Sequence, residues 1–209
     1  MIYLRKFETQ AAYEAAQSGL ILPNVSLTVD NNTVHYNPST PPTPSHEYVD
    51  LGLPSGTLWA RYNVGATSET DYGDYYQYGK GADDYSVTSG QSIYSGTENP
   101  LATSADTAAQ VWGGNWHIPT TAQCQELIDN TTYEWTTING VNGGKFTAQN
   151  GNYIFIPEES HAIHYGNIIT STPNGEEYYR ILYFEDGWVN ANDNAARDGL
   201  GLPVRPVIG

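Results

Sequence analysis

Residues 145–157 read KFTAQNGNYIFIP and residues 178–191 read YYRILYFEDGWVNA; each is a pair of short apolar runs split by a turn dipeptide. Asn150-Gly151 and Asp186-Gly187 supply the turn chemistry of tight hairpins, because both partners tolerate backbone angles that other residues avoid. Ile154 and Ile156 alternate with Phe155, and Ile181 and Tyr183 alternate with Leu182 and Phe184, the period of a strand. YEWTTI, from Tyr133, adds another strand upstream. Before it lies a helix over 121–130, with Thr120 as its N-cap and Leu127 and Ile128 facing inward. A second helix is expected near 104–112. EYVDLGL (47–53) and TLWARYNVG (57–65) read as strands separated by a Pro54-Ser55-Gly56 turn, and 69–101 as long Tyr-, Gly- and Ser-rich surface loops. The class that follows is α+β: a mostly antiparallel sheet, two helices and long loops.

Composition narrows the function. The chain has 209 residues, with 8 Lys+Arg against 23 Asp+Glu, for a net charge of −15. A general phosphate-backbone binder needs clustered positive charge, so nucleic acid is excluded as a partner class. Anionic membrane surfaces are disfavoured likewise. No run approaches the ~18 apolar residues of a membrane span. Charged residues make up only 15%, against a usual ~25%; 17 Tyr and 21 Gly take their place with Asn, Thr and Ser. Such a surface recognises neighbours through hydroxyls, amides and ring faces. Cys124 is the only cysteine, so no intrachain disulfide and no cysteine-based zinc site can form.

The first 46 residues differ from the rest. They hold Glu8, Glu14 and Asp30 against Arg5 and Lys6, which leaves −14 for the other 163. IYLRKF reads as a short strand, residues 10–18 as an Ala-rich helix capped by Thr9 and stopped by Gly19, and VSLTV and TVHY as a hairpin around Asp30-Asn31-Asn32. Residues 37–46, NPSTPPTPSH, form a semi-rigid extended linker, because proline fixes φ and lacks an amide donor. Residues 1–36 are too few to bury a core alone, so they are expected to rest on a partner assembly, on copies of themselves or on the larger domain. MIYLRKFETQAAYEAAQSG has no apolar h-region, and no signal peptide is read there.

Three blocks carry a family resemblance: EYVDLGLPSGTLWARYNVGATSETDYGDYYQYGK, VWGGNWHIPTTAQCQELIDN and the closing GLPVRPV. Residues 47–209 resemble the Fibrobacter succinogenes major paralogous domain, which implies a C-type-lectin-like or formylglycine-generating-enzyme-like fold. LRKFETQAAYEAA, PNVSLTVDNNTVHY and the proline linker resemble N-terminal segments of virion proteins of crAss-like Bacteroides phages, where such a segment looks like an attachment module. C-type-lectin-like domains with a similar RPV ending also occur as variable proteins of diversity-generating retroelements, with ligand-facing positions in the last stretch before it. Family members place aromatics around residues 169–173, where this chain reads IITSTP from Ile168.

The resemblances imply a phage head fibre or capsid decoration, assembled in the host cytoplasm and located on the virion. Residues 1–36 would contact capsid or fibre proteins, and a dimer or trimer would present residues 47–209 to host-surface glycan or protein. A bacterial cell-surface lectin of the same domain family is the alternative.

Candidate ligand-binding residues are Trp188, Asn190, Asn192, Asp193, Asn194 and Tyr178. On a strand Asn190, Asn192 and Asn194 would face one side together, and Trp188 follows the Asp186-Gly187 turn beside them. Trp59, Trp112 and Trp116 sit inside the family blocks and read as core. Tyr72, Tyr75, Tyr76, Tyr78 and Tyr85 form a loop concentration suited either to contact or to burial. No cofactor is implied; Asn192, Asp193 and Asp198, with neighbouring Asn190 and Asn194, are oxygen donors of the kind calcium takes, against the plainer reading of a polar loop satisfying its own turns. No enzyme is read from the chain. His161 and His164 stand in a loop rather than on a helix, and Glu158 and Glu159 are adjacent, so they cannot flank a cleft as paired glycosidase carboxylates do. Arg205 is expected to tie loops together.

Overall fold

The structure is a computed structural model, and it describes residues 25–30, 33–38, 46–81, 94–159, 164–197 and 201–209. The expected strand over IYLRKF, the helix over 10–18, Tyr85, His161 and Asp198 lie outside them. The chain divides into two compact units, Met1–Ser45 and His46–Gly209. In the first, β1 (Val25–Asp30) and β2 (Thr33–Pro38) pair antiparallel from Val25 opposite Pro38 to Asp30 opposite Thr33. Among the described residues no helix is long and apolar enough to cross a membrane.

The second unit is α+β, with every described strand pair antiparallel. It begins with β3 (Tyr48–Asp50) and β4 (Leu58–Ala60), and β13 (Val207–Ile208) adds to the same sheet, so both ends of the unit meet there. β5 (Tyr75–Tyr76) pairs with β12 (Leu202–Pro203). Two helices follow β5: α1 (Thr107–Val111) and α2 (Thr121–Asn130). Then come two three-stranded sheets. The first is β6 (Thr131–Ile138), β7 (Val141–Ala148) and β8 (Tyr153–Pro157). The second is β9 (Tyr165–Asn174), β10 (Tyr178–Glu185) and β11 (Trp188–Ala196), with β10 in the middle.

Local chemistry explains most of these boundaries. Thr120 caps α2 in a reciprocal box: its side chain accepts from Gln123 N at 3.2 Å, and the Gln123 side chain accepts from Thr120 N at 2.9 Å, so two amides that would otherwise lack partners are satisfied. α1 is shorter than expected. Asp106, buried, accepts from Ala109 N at 3.0 Å and from Ile118 N at 2.9 Å, so the helix starts behind it rather than near 104. The strands expected over 47–53 and 57–65 shrink to three residues each. Asn150-Gly151 and Asp186-Gly187 do turn the chain between β7 and β8 and between β10 and β11. A third dipeptide does the same: Asn139-Gly140 has φ of 50° and 83° and joins β6 to β7 directly, the turn whose twist matches paired strands.

The sheet of β9, β10 and β11 separates two cores. Ile168, Leu182, Phe184 and Ala191 face a cluster with Cys124 and Leu127 of α2, Phe146, Ile154, Ile156 and Trp59. Ile169, Tyr179 and Ile181 face the other cluster, with Tyr76, Tyr78, Ile118, Leu202 and Val204. The stretch over 69–101, expected as surface loop, therefore contributes to a core: Tyr76 and Tyr78 are buried, and the Tyr78 ring stacks on Tyr179 at 4.3 Å. Two buried arginines hold the irregular segments. Arg205 donates to Asn63 Oδ1 and to the carbonyls of Ala60, Arg61 and Phe155, which is the loop-tying role expected of it. Arg197 donates to the carbonyls of Tyr94, Gly96, Gly175 and Tyr178.

Candidate functional site

Side chains on paired strands share a face when they sit directly opposite one another. Across the sheet, Tyr165 lies opposite Glu185, and Glu185 opposite Trp188; one step along, Asn167 lies opposite Tyr183, and Tyr183 opposite Asn190. These residues continue the face that carries Ile169, Ile181 and Tyr179. Toward those three residues the face is covered by core. Toward the Asp186-Gly187 turn it is open, and the rings form a row: Tyr165 stacks on Tyr183 at 5.4 Å and 24°, and Tyr183 meets Trp188 at 5.3 Å and 55°. Trp188 is 48% exposed.

Polar groups line the same face. The Tyr183 hydroxyl donates to Glu185 Oε2 at 2.7 Å. Asn167 Nδ2 donates to Glu159 Oε2 at 2.7 Å, and the Tyr75 hydroxyl donates to the Glu159 carbonyl. A shallow groove of about 390 Å³ runs here, lined by Glu159, Tyr165, Asn167, Tyr183, Asp193 and Leu202 among others. Burial raises the Glu159 carboxyl above the usual range, against the hydrogen bond from Asn167. Burial, the hydrogen bond to Glu185 and the charges of Glu185 and Asp193 push Tyr183 up to about 12, so its hydroxyl stays a donor at any physiological pH. Flat apolar rings beside amides and carboxylates can hold a molecule with both an apolar face and polar edges.

The sequence candidates scatter across this geometry. Trp188 belongs to the row. Tyr178, 46% exposed, stands at the other end of the same ladder, opposite Ala196, roughly 20–25 Å away at the usual rise per residue. The expected common face of Asn190, Asn192 and Asn194 does not form. Tyr183 pairs with Asn190 but Ile181 with Asp193, so β11 carries one extra residue at Ala191-Asn192, and a bulge of this kind reverses the alternation beyond it. Asn190 and Asp193 share the open face, whereas Asn194 lies opposite Arg180 on the reverse. The Asn side chains serve the bulge itself: Asn190 Oδ1 accepts from Asn192 N at 2.9 Å, and Asn194 Oδ1 accepts from Asn174 Nδ2 at 2.7 Å and Arg180 Nη1 at 2.9 Å.

Arg180 Nη1 also donates to the Asn192 carbonyl at 2.9 Å. Of the oxygens considered for calcium, Asn194 Oδ1 is thus held by the protein's own guanidinium, and Asp193 Oδ1 accepts from Asn194 N at 2.8 Å. Among the described residues no three His, Cys, Asp or Glu side chains converge, and Asp198 lies outside them.

Other candidates fall into structural roles. Trp59 and Trp116 are buried, and Trp112 is partly buried with His46 stacked on it at 3.9 Å. Cys124 is fully buried on α2, and burial pushes its thiol far up. Glu158 and Glu159 diverge as adjacent strand-end residues should, Glu158 toward Asn142 and His164 and Glu159 toward Asn167. A larger cleft of about 520 Å³ lies beside α1. Most of its polar side chains serve the fold: Asp106 and the Thr120–Gln123 box cap helices, and His117 bonds Ile118 O and Gly209 O.

Sequence reasoning missed Tyr165, Asn167 and Tyr183. The strand alternation that places Tyr183 with Ile181 was visible; the register that brings Tyr165 and Asn167 alongside was not. Compared with protein-family models, curated proteins and solved structures, the chain shows no match.

Proposed function

We propose that this chain is a virion structural protein, a phage head fibre or capsid decoration whose second unit is a C-type-lectin-like domain contacting host-surface glycan. The observation that carries the contact role is the row Tyr165–Tyr183–Trp188, half-buried at the tyrosines and exposed at Trp188, with Asn167, Asn190 and carboxylates beside it. Rigid rings offer contact area at small entropic cost, and adjacent amides and acids accept or donate to hydroxyls. The lectin-like assignment is supported by the VDLGLPSGTLW and GGNWHIPT blocks, and by an α+β unit whose two ends pair in one sheet. Attachment through residues 1–36 rests on their resemblance to phage attachment segments and on the proline-rich stretch that ends at the unit boundary. Two or three copies would turn weak single-site affinity into avidity.

The contact role is tested on a host-surface glycan array with the full chain. Trp188→Ala lowers binding about tenfold or more, as loss of an aromatic anchor does, while Tyr178→Ala, at the far end of the ladder, leaves it unchanged. Equal losses from both would refute the site. Antibody against residues 46–209 labels intact particles if the chain is a decoration; unlabelled particles containing no copy by mass spectrometry refute the virion role.

A further inference from the structure

The groove is chemically one-sided. Its described lining includes Glu159 and Asp193 and no Lys, Arg or His, and Glu185 sits against the Tyr183 hydroxyl at its edge. The cations of this sheet and its end are committed elsewhere, Arg180 to Asn192 and Asn194 on the reverse face and Arg197 to four backbone carbonyls. Within the lining, Asn167 is only 8% exposed; its Nδ2 is spent on Glu159, and its Oδ1 has no hydrogen-bond partner. A buried acceptor without a donor costs free energy until one arrives. Acceptors therefore dominate this surface, and of its two ring hydroxyls that of Tyr183 is already given to Glu185.

A neutral sugar brings as many acceptors as donors. An ammonium group brings three donors, no acceptor and the missing charge, and aromatic rings favour it further. We propose that the groove between Tyr165, Tyr183 and Asp193 takes the protonated amino group of an unacetylated amino sugar, whose ring lies along the aromatic row. This rests on the glycan-contact reading and specifies its ligand. The raised pKa values of Tyr165 and Tyr183, in which burial leads and Glu159, Glu185 and Asp193 add, agree with a negative field at the site.

Isothermal titration of the full chain with a glucosamine tetramer and with an N-acetylglucosamine tetramer tests it. The expected result is binding of the glucosamine tetramer about tenfold tighter, weakened by added salt. Asp193→Asn, which keeps an acceptor for Asn194 N, should remove about fivefold of that affinity and leave the thermal midpoint unchanged. Equal or tighter binding of the N-acetyl tetramer overturns the amine assignment while the glycan reading stands. Binding of neither sugar overturns both. Capture of Nα-acetyl-lysine amide as tightly as the tetramer overturns the sugar, and a preference untouched by Asp193→Asn overturns the location.

Discussion

Replacing Arg205 tests what holds the irregular half of the second unit together. The side chain is fully buried and among the described residues no carboxylate is paired with it. Four oxygens solvate it instead: Asn63 Oδ1 at 2.8 Å and the carbonyls of Arg61, Phe155 and Ala60 at 2.8, 2.9 and 3.2 Å. Burial pulls the guanidinium down to about 9, with Glu69 acting against it, so it remains charged at neutral pH. Arg205→Met fills a similar volume but leaves these acceptors without a donor, at ~1–3 kcal/mol each. Removing the desolvated charge returns several kcal/mol, and the expected net loss is about 4 kcal/mol, a large share of the ~5–15 kcal/mol typical of a domain. Arg205→Lys keeps the charge but replaces a planar fork by a single nitrogen, and should cost about 2 kcal/mol.

Urea unfolding followed by tryptophan fluorescence reads this directly, because all five tryptophans lie in the second unit. The midpoint should fall in the order parent, Lys, Met with unchanged slope. A Met variant within about 1 kcal/mol of the parent, or one more stable than the Lys variant, would refute the argument that neutral oxygens depend on this cation.

Three further outcomes are expected. A β-carbon at Gly166 would run into the buried Phe184 ring, so Gly166→Ala should cost ~1–3 kcal/mol by overpacking, measured by the same unfolding assay. Gly140 has φ of 83° with open space around it, so Gly140→Ala should cost ~1–2 kcal/mol from backbone conformation alone, with a crystal structure showing no displaced neighbour. His46, stacked on Trp112, has its pKa lowered from 6.5 by burial. The unfolded chain then binds the proton more readily, so this contribution to stability is full above 6.5 and is lost as pH falls through the folded value. His46→Phe should flatten that acid slope in thermal melts taken across the window; an unchanged slope removes His46 from its cause.

Local chemistry was legible residue by residue. The Thr120 cap, the 121–130 helix and the Asn150-Gly151 and Asp186-Gly187 turns follow from interactions between residues a few positions apart, and the same holds for Asn139-Gly140, whose signal was present in the chain. Burial of Trp59 and Trp116 was readable from their place inside the resemblance blocks, and the role of Arg205 from its place in the closing segment. Tyr76 and Tyr78 were not, because a Gly- and Ser-rich loop has no periodicity to show that a distant strand, Leu202–Pro203, will pair with it. The candidate site depended still more on tertiary structure. One extra residue at Ala191-Asn192 reverses the alternation that seemed to align Asn190, Asn192 and Asn194, and nothing local distinguishes a bulged strand from a regular one. Tyr165, Tyr183 and Trp188 become a row only through the pairing of β9, β10 and β11. The sequence by itself determined the elements, their caps and the acidic, amide- and tyrosine-rich surface; strand register, which depends on contacts between residues far apart in the chain, decided which of those side chains meet.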